Sequence, residues 1–242
     1  MRAALLIAAL SVFLVAFGFR NDPDAVLQAI ESGEFGRRAG AIETIVRRGS
    51  PELHALLPPL ILDEDPRIRE MAMDAASALG LEEAVAPLFE ILRSGDEAER
   101  IRAVKALAAI DSPSARDALS RALLDPVTEI RVAVLSNARV QAELIAPAAS
   151  ALDDVDASVR ALAARALGES GEQSALLSLI GKLGDPSVDV RVAVARALGE
   201  LGAEESIPAL GGALEDPEGH VREAAAISLS KIGGEVARQL LL

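Results

Sequence analysis

From residue 22 onward, apolar side chains recur at spacings of three and four, the period that lays one stripe of a helix against a core. Aligned on an arginine, seven segments repeat one pattern: RAGAIETIVRRG from Arg38, REMAMDAASALG from Arg69, RIRAVKALAAID from Arg100, RVAVLSNARVQA from Arg131, RALAARALGESG from Arg160, RVAVARALGELG from Arg191 and REAAAISLSKIG from Arg222. These arginines lie 31, 31, 31, 29, 31 and 31 residues apart. Seven places after each stands Ile45, Ala76, Leu107, Ala138, Leu167, Leu198 or Leu229. Eleven places after stands Gly49, Gly80, Asp111, Ala142, Gly171, Gly202 or Gly233. The glycines fall where a helix should stop, because the left-handed residue that closes a helix costs Gly little.

Turn signals precede the arginines. Asp65-Pro66, Asp125-Pro126, Asp185-Pro186 and Asp216-Pro217 each read as an N-cap followed by Pro at the first helical position. Between each Gly and the next Asp there is room for a second, shorter helix, as at 82–93 and 205–215. One helical hairpin cannot bury its apolar faces alone, so the stack of hairpins is the folding unit. The predicted fold is all-α: an α-solenoid of about seven stacked hairpins over residues 21–242, preceded by an N-terminal hydrophobic helix within residues 1–20. The 29-residue step predicts a local irregularity near Ala142.

Composition supports this reading. Hydrophobic residues are 51% of the chain but aromatics only 2%, with no Trp or Tyr. A core of Ala, Leu, Val and Ile suits thin helices that approach closely, and Ala and Leu are strong helix formers. The net charge of −13 repels phosphate, which disfavours nucleic acid as a partner. The absence of cysteine excludes disulfides, thiolate nucleophiles and Cys-type zinc sites.

Residues 3–19 carry no charge and are apolar on every face, with Arg2 before them and Arg20 after. Their length suits either a cleaved signal peptide, with Ala16-Phe17-Gly18 as a small-x-small site, or an uncleaved membrane anchor. The two positive charges at the N-terminus favour keeping that end inside. The expected location is therefore an inner membrane with the body outside the cytoplasm, or a periplasmic or secreted body after cleavage.

The run DPSVDVRVAVARALG at 185–199 stands almost complete against the pattern Asp-Pro-x-x-x-Val-Arg-x-x-Ala-x-x-Ala-Leu-Gly. It resembles HEAT repeats, in the short form similar to phycobilisome-lyase-like repeats, and the resemblance covers about residues 22–242. In that family an Asp six residues before the Arg forms a hydrogen-bonded ladder between neighbouring repeats. The matching residues are Asp63 and Arg69, Asp125 and Arg131, Asp154 and Arg160, Asp185 and Arg191, and Asp216 and Arg222. The resemblance gives them a structural role, a planar guanidinium bridging carboxylates and carbonyls along the stack. The first repeat departs, with Ser32 in the Asp place. In the third, helix register selects Arg100 but the Asp96 spacing selects Arg102.

The resemblance also implies that the Arg-bearing helices line a concave face. Helical geometry then buries the positions three, four and seven after the Arg and turns positions one, two, five and nine toward a groove. The first two of these give an apolar stripe of Met71, Ile101, Val132, Leu162 and Val192. The fifth gives Glu43, Asp74, Lys105, Ser136, Arg165, Arg196 and Ile227, acidic at first and then basic, with Lys105, Arg165 and Arg196 as a cationic row. Such a groove suits a peptide or helix with an apolar face and complementary charge.

No constellation carries catalysis. His54, at a normally apolar helix position, and His220, in a loop before Arg222, lie about five repeats apart and at roughly 10 Å per repeat cannot share an ion. The carboxylate pairs Glu82/Glu83 and Asp153/Asp154 sit at helix starts and turns, where they satisfy N–H groups. The glycines are single and periodic, unlike a phosphate loop. Some HEAT-like enzymes are di-iron hydroxylases built on His-Glu pairs, and this chain has no His-Glu dipeptide. The expectation is thus a non-enzymatic scaffold, without cofactor or metal, that binds a protein or peptide. The resemblance implies one alternative, a phycobilisome-lyase-like enzyme or chaperone acting on a tetrapyrrole-bearing protein. The apolar tail Leu240, Leu241 and Leu242 is expected to pack on the last repeat or to self-associate with another copy.

Overall fold

The structure, a computed structural model, describes residues 22–140 and 142–242. The apolar segment 3–19, and with it the expected signal or anchor, lies outside the described residues. Among the described residues there is no strand, and no helix is long and apolar enough to cross a membrane. The chain divides into two compact units, the first ending at Ile110 and the second running from Asp111 to Leu242.

The first unit contains α1 (Pro23–Glu31), α2 (Phe35–Arg48), α3 (Pro51–His54), α4 (Pro66–Leu79), α5 (Val85–Ser94) and α6 (Glu97–Ile110). Helices α2, α4 and α6 pack side by side in that order, and α5 backs α6. The second unit contains α7 (Pro113–Ala122), α8 (Thr128–Asn137), α9 (Ile145–Ser150), α10 (Ala157–Ser170), α11 (Leu176–Ile180), α12 (Val188–Leu201), α13 (Ile207–Ala213), α14 (Gly219–Ile232) and α15 (Gly234–Leu240). Here α8, α10, α12 and α14 form the row of neighbours, with the short helices behind them.

The repeat sets the register of every long helix. Arg38, Arg69, Arg100, Arg131, Arg160, Arg191 and Arg222 are each the fourth residue of their helix. Each of those helices is 14 residues long except α8, which has 10. Gly49, Gly80, Gly171 and Gly202 close α2, α4, α10 and α12 in the left-handed conformation, and Asp111 adopts it after α6 at φ 47°. Asp pays less for this conformation than most residues because its short side chain hydrogen-bonds locally. Helix α8 has no such closure: it stops at Asn137, followed by Ala138 in an extended conformation, five residues ahead of Ala142. The two-residue deletion therefore removes the helix's last turn, and part of that turn's sequence joins the loop at 138–140, where the next repeat has only 171–172.

The Asp-Pro turns divide into two kinds. Asp65 caps α4 and Pro66 is its first residue. Asp125, Asp185 and Asp216 instead stand two residues before the N-cap, and each carboxylate accepts the N–H two residues on, from Val127, Ser187 and Glu218. The N-cap expectation is corrected at these three places. The carboxylate closes an Asx turn just ahead of the helix, and Asp63 and Asp154 do the same.

The core is built from positions three, four and seven after the arginines. Ala72, Met73 and Ala76 in α4, and Ala163, Ala164 and Leu167 in α10, are all buried. In the second unit the helices approach closely enough to need glycine. A Cβ on Gly168 of α10 would lie 2.6 Å from the Ala197 Cα of α12, and one on Gly199 of α12 would lie 2.5 Å from the Ser228 hydroxyl of α14. Ser228 bridges the same pair of helices by donating to the Ala195 carbonyl at 2.8 Å.

Candidate functional site

The periodic arginines come first, because they fix the helices that carry everything else. In the second unit one geometry is used three times. Arg131 binds the Asp154 carboxylate through Nε and Nη2 and donates Nη1 to the Asp125 carbonyl at 2.8 Å. Arg160 does the same with Asp185 and the Asp154 carbonyl, and Arg191 with Asp216 and the Asp185 carbonyl. Each Arg thus takes a carbonyl from the Asp six residues before it and the carboxylate of the Asp in the following hairpin. Arg222 keeps the carbonyl half, donating to Asp216 and Pro217.

In the first unit the ladder is improvised. Arg38 binds both oxygens of Asp63, at 2.6 and 2.7 Å, although its own hairpin has Ser32 in the Asp place. Ser32 mimics the turn, accepting the Glu34 N–H on its hydroxyl. Arg69 donates to the Asp63 carbonyl and binds Glu99, a residue that the Asp spacing does not mark. Asp96 and Glu99 form a reciprocal capping box at the start of α6, which is what places the Glu99 carboxylate there. Register decides the ambiguous repeat for Arg100, whose Nε donates to the Leu92 carbonyl. Arg102 points elsewhere, to Glu70 and Asp74 on α4.

Burial makes these pairs matter. The side chains of Arg160 and Asp185 are 12% and 4% exposed, so removing one partner strands a desolvated charge. The Arg160 hydrogen bonds hold the Asp185 carboxyl below its ordinary pKa against the opposing effect of burial, with help from the Ser187 N–H. Arg191 and the Glu218 N–H do the same for Asp216. At Asp154 burial pushes upward, but Arg131 and the Asp156 N–H outweigh it and the pKa falls.

The face expected to meet a partner differs between the units. In the first, Met71 and Ile101 are half-buried. Ile101 and the exposed Lys105 line a recess of only about 150 Å³ beside Asp74 and Arg102. Much of the charge is satisfied internally: Arg102 spans Glu70 and Asp74, and Arg47 holds Glu43. In the second unit Val132, Leu162 and Val192 are also half-buried. Leu162 with Ala161, Ala193 and Ala197 floors an open depression of about 550 Å³ between α10 and α12. Arg165 and Arg196 stand on its walls with Glu169 and Glu200; Val132 and Val192 do not line it. Arg165 reaches Glu169 at 3.7 Å and Lys231 engages Glu200, while Arg196 makes no ion pair with a described residue. The depression can accept an apolar side chain between two guanidinium groups.

The remaining sequence signals resolve plainly. His54 ends α3 with its Nε2 buried, and His220 is the second residue of α14 rather than in a loop. Among the described residues no group of His, Cys, Asp and Glu could hold a metal. Leu240 lies over Gly211 of α13, and Leu242 is fully exposed. Two features were not read from the sequence. The run at 185–199 ends on Gly199, eight places after its arginine as Gly168 is after Arg160, but the pattern did not show that these glycines sit inside the helices at a close crossing. Arg116 joins Asp111 to Glu143, at 3.0 and 2.8 Å, with no repeat counterpart to signal it.

The family model for HEAT repeats matches residues 23–100, 145–214 and 176–242, and that for the PBS lyase HEAT-like repeat matches residues 99–125. No curated protein matches the chain. Among solved structures it is similar to a Kap121p mutant, at 14% identity over 87% of this chain and 29% of that one, with a TM-score of 0.56. It is also similar to an engineered protein, at 19% identity over 74% of this chain and 96% of that one, with a TM-score of 0.53. The complex of CpcE and CpcF of phycocyanin lyase from Nostoc sp. PCC7120 matches at 20% identity over 93% and 96% of the two chains, with a TM-score of 0.43. At these identities the likeness is one of fold.

Proposed function

The chain belongs to the HEAT-repeat family, and from that premise we propose that it is a non-enzymatic scaffold whose second unit binds a peptide or helix of another protein. The observation that carries this reading is the depression floored by Leu162 and flanked by Arg165 and Arg196. Glu169 is engaged by Arg165 and Glu200 by Lys231, so Arg196, which makes no ion pair with a described residue, is the wall charge left to favour a ligand with an apolar anchor and an acidic flank. The regular Arg–Asp pairs are occupied in holding hairpins together, so the residues that vary between repeats are left to recognise a ligand. The stripe residues Met71, Ile101, Val132 and Val192 support the same face more weakly, being half-buried outside the depression.

A random-sequence peptide display selection on the full chain tests this. Selected peptides should combine a large apolar residue with Asp or Glu. Leu162→Glu should abolish their binding while far-ultraviolet circular dichroism is unchanged. Undiminished binding to the Leu162→Glu chain would remove the depression from the account. We also propose that the scaffold is exported or membrane-anchored through residues 3–19, with its body outside the cytoplasm. A periplasmic reporter fused after Leu242 should be active, and a reporter active only in the cytoplasm would reverse the orientation.

A further inference from the structure

The second unit breaks its own period at one place, and the break leaves a recess. Helix α8 ends at Asn137 with 10 residues where α10, α12 and α14 have 14. Where the last turn is missing, a recess of about 300 Å³ opens between the end of α8 and α10. Ser136, Asn137, Arg139, Arg165 and Ser170 line it, so it is polar where the neighbouring depression is apolar. The two share Arg165 and Glu169, which makes them adjoining compartments of one surface.

We propose that this notch receives a carboxylate side chain of the acidic peptide whose apolar residue sits over Leu162. The inference rests on the reading of the depression given above and names what lies next to it. Arg139 is exposed and makes no ion pair with a described residue, and Arg165 meets only Glu169, at 3.7 Å. Two guanidinium groups beside one polar recess provide the donors a carboxylate needs, with the Ser136 hydroxyl to add to its shell; the Ser170 hydroxyl already donates to the Leu167 carbonyl at 2.6 Å. The opposing effects are the Glu169 carboxylate, which Arg165 faces at 3.7 Å, and the C-terminal ends of α10 and α8, whose carbonyls repel an anion. Two of those carbonyls are already taken: Ala133 accepts from the Asn137 amide at 2.7 Å, and Val134 from the Ala138 N–H at 2.9 Å. Across both compartments Arg139, Arg165 and Arg196 face Glu169 and Glu200, and Glu200 is itself engaged by Lys231. The surface is therefore locally cationic on an acidic chain, and an acidic segment is the ligand it complements.

Two variants of the full chain separate the notch from the depression, each read by fluorescence anisotropy with a synthetic peptide taken from the display selection. Arg139→Glu should weaken binding about tenfold or more, and added salt should narrow the difference. Inserting two alanines after Asn137 restores the 31-residue step from Arg131 to Arg160, and by refilling the last turn of α8 it should remove binding without lowering Tm. If Leu162→Glu abolishes binding but Arg139→Glu and the insertion leave it intact, the notch fails and the depression stands. If peptides selected on the wild-type chain lack acidic residues, the notch proposal is overturned as well.

Discussion

The two units are made from the same repeat yet differ in how they spend their charges. In the second, Arg131, Arg160 and Arg191 each hold the next hairpin's Asp in one geometry, and the exposed Arg139 and Arg196 make no ion pair with a described residue. In the first, Glu99 stands in for the missing Asp, and Arg102 is drawn across to Glu70 and Asp74. The difference teaches that regularity in the buried ladder leaves the outer cations available. Where the ladder is regular, the face can be specialised. Where it is improvised, acids on that face take Arg47 and Arg102, and Lys105 is left exposed with no ion pair to a described residue.

The comparison can be broken most severely at the helix crossings. Gly199→Val should cost about 3 kcal/mol, because its side chain meets Ser228 on α14 and the helices must separate. The matching position eight after Arg69 is Ser77, half-buried in the first unit, and the same bulk added there by Ser77→Val should cost no more than about 1 kcal/mol. Denaturant melts of both variants check the contrast, and equal losses would show that the close crossing is not confined to the second unit. A smaller effect is expected in the ladder. Arg160→Ala leaves the Asp185 carboxylate buried without its partner and should cost about 2 kcal/mol. Arg102→Ala, at 36% exposure, should cost no more than about 0.5 kcal/mol.

Smaller still is the pH response. Asp154, Asp185 and Asp216 have lowered pKa values in the fold, so the unfolded chain takes up their protons first as pH falls. Their contribution is fully present above the ordinary carboxylate range and is lost on acidification through it and below. Tm should therefore decline from about pH 5 downward, and Asp185→Asn should flatten part of that decline while lowering Tm at neutral pH. An identical pH profile in the variant would mean that the carboxylate is not coupled to folding.

How much of this was legible in the sequence follows from what periodicity can encode. The 31-residue spacing of Arg38 through Arg222 marks the fourth residue of each long helix, and the glycine spacing marks most helix ends. The all-helical architecture was therefore readable from one chain. The partner of each arginine was less so, because the pattern pairs Arg191 with Asp185 whereas the guanidinium takes only that residue's carbonyl and binds the Asp216 carboxylate. Glu99 was hidden because its role arises from a capping box that the repeat does not share. Leu162, Arg165 and Arg196 were marked by helical position, but nothing in the pattern showed that they enclose one depression. The notch at Asn137 was visible only as a two-residue deficit, since where a helix stops depends on the turn that is lost.

The central claim is that the second unit, through α10 and α12, is the binding face. Hydrogen–deuterium exchange on the full chain, with and without a display-selected peptide, tests it most directly. The account predicts added protection in α10, in α12 and at the end of α8, with α4 and α6 unchanged. Protection confined to α4 and α6, with none around Leu162, would contradict it.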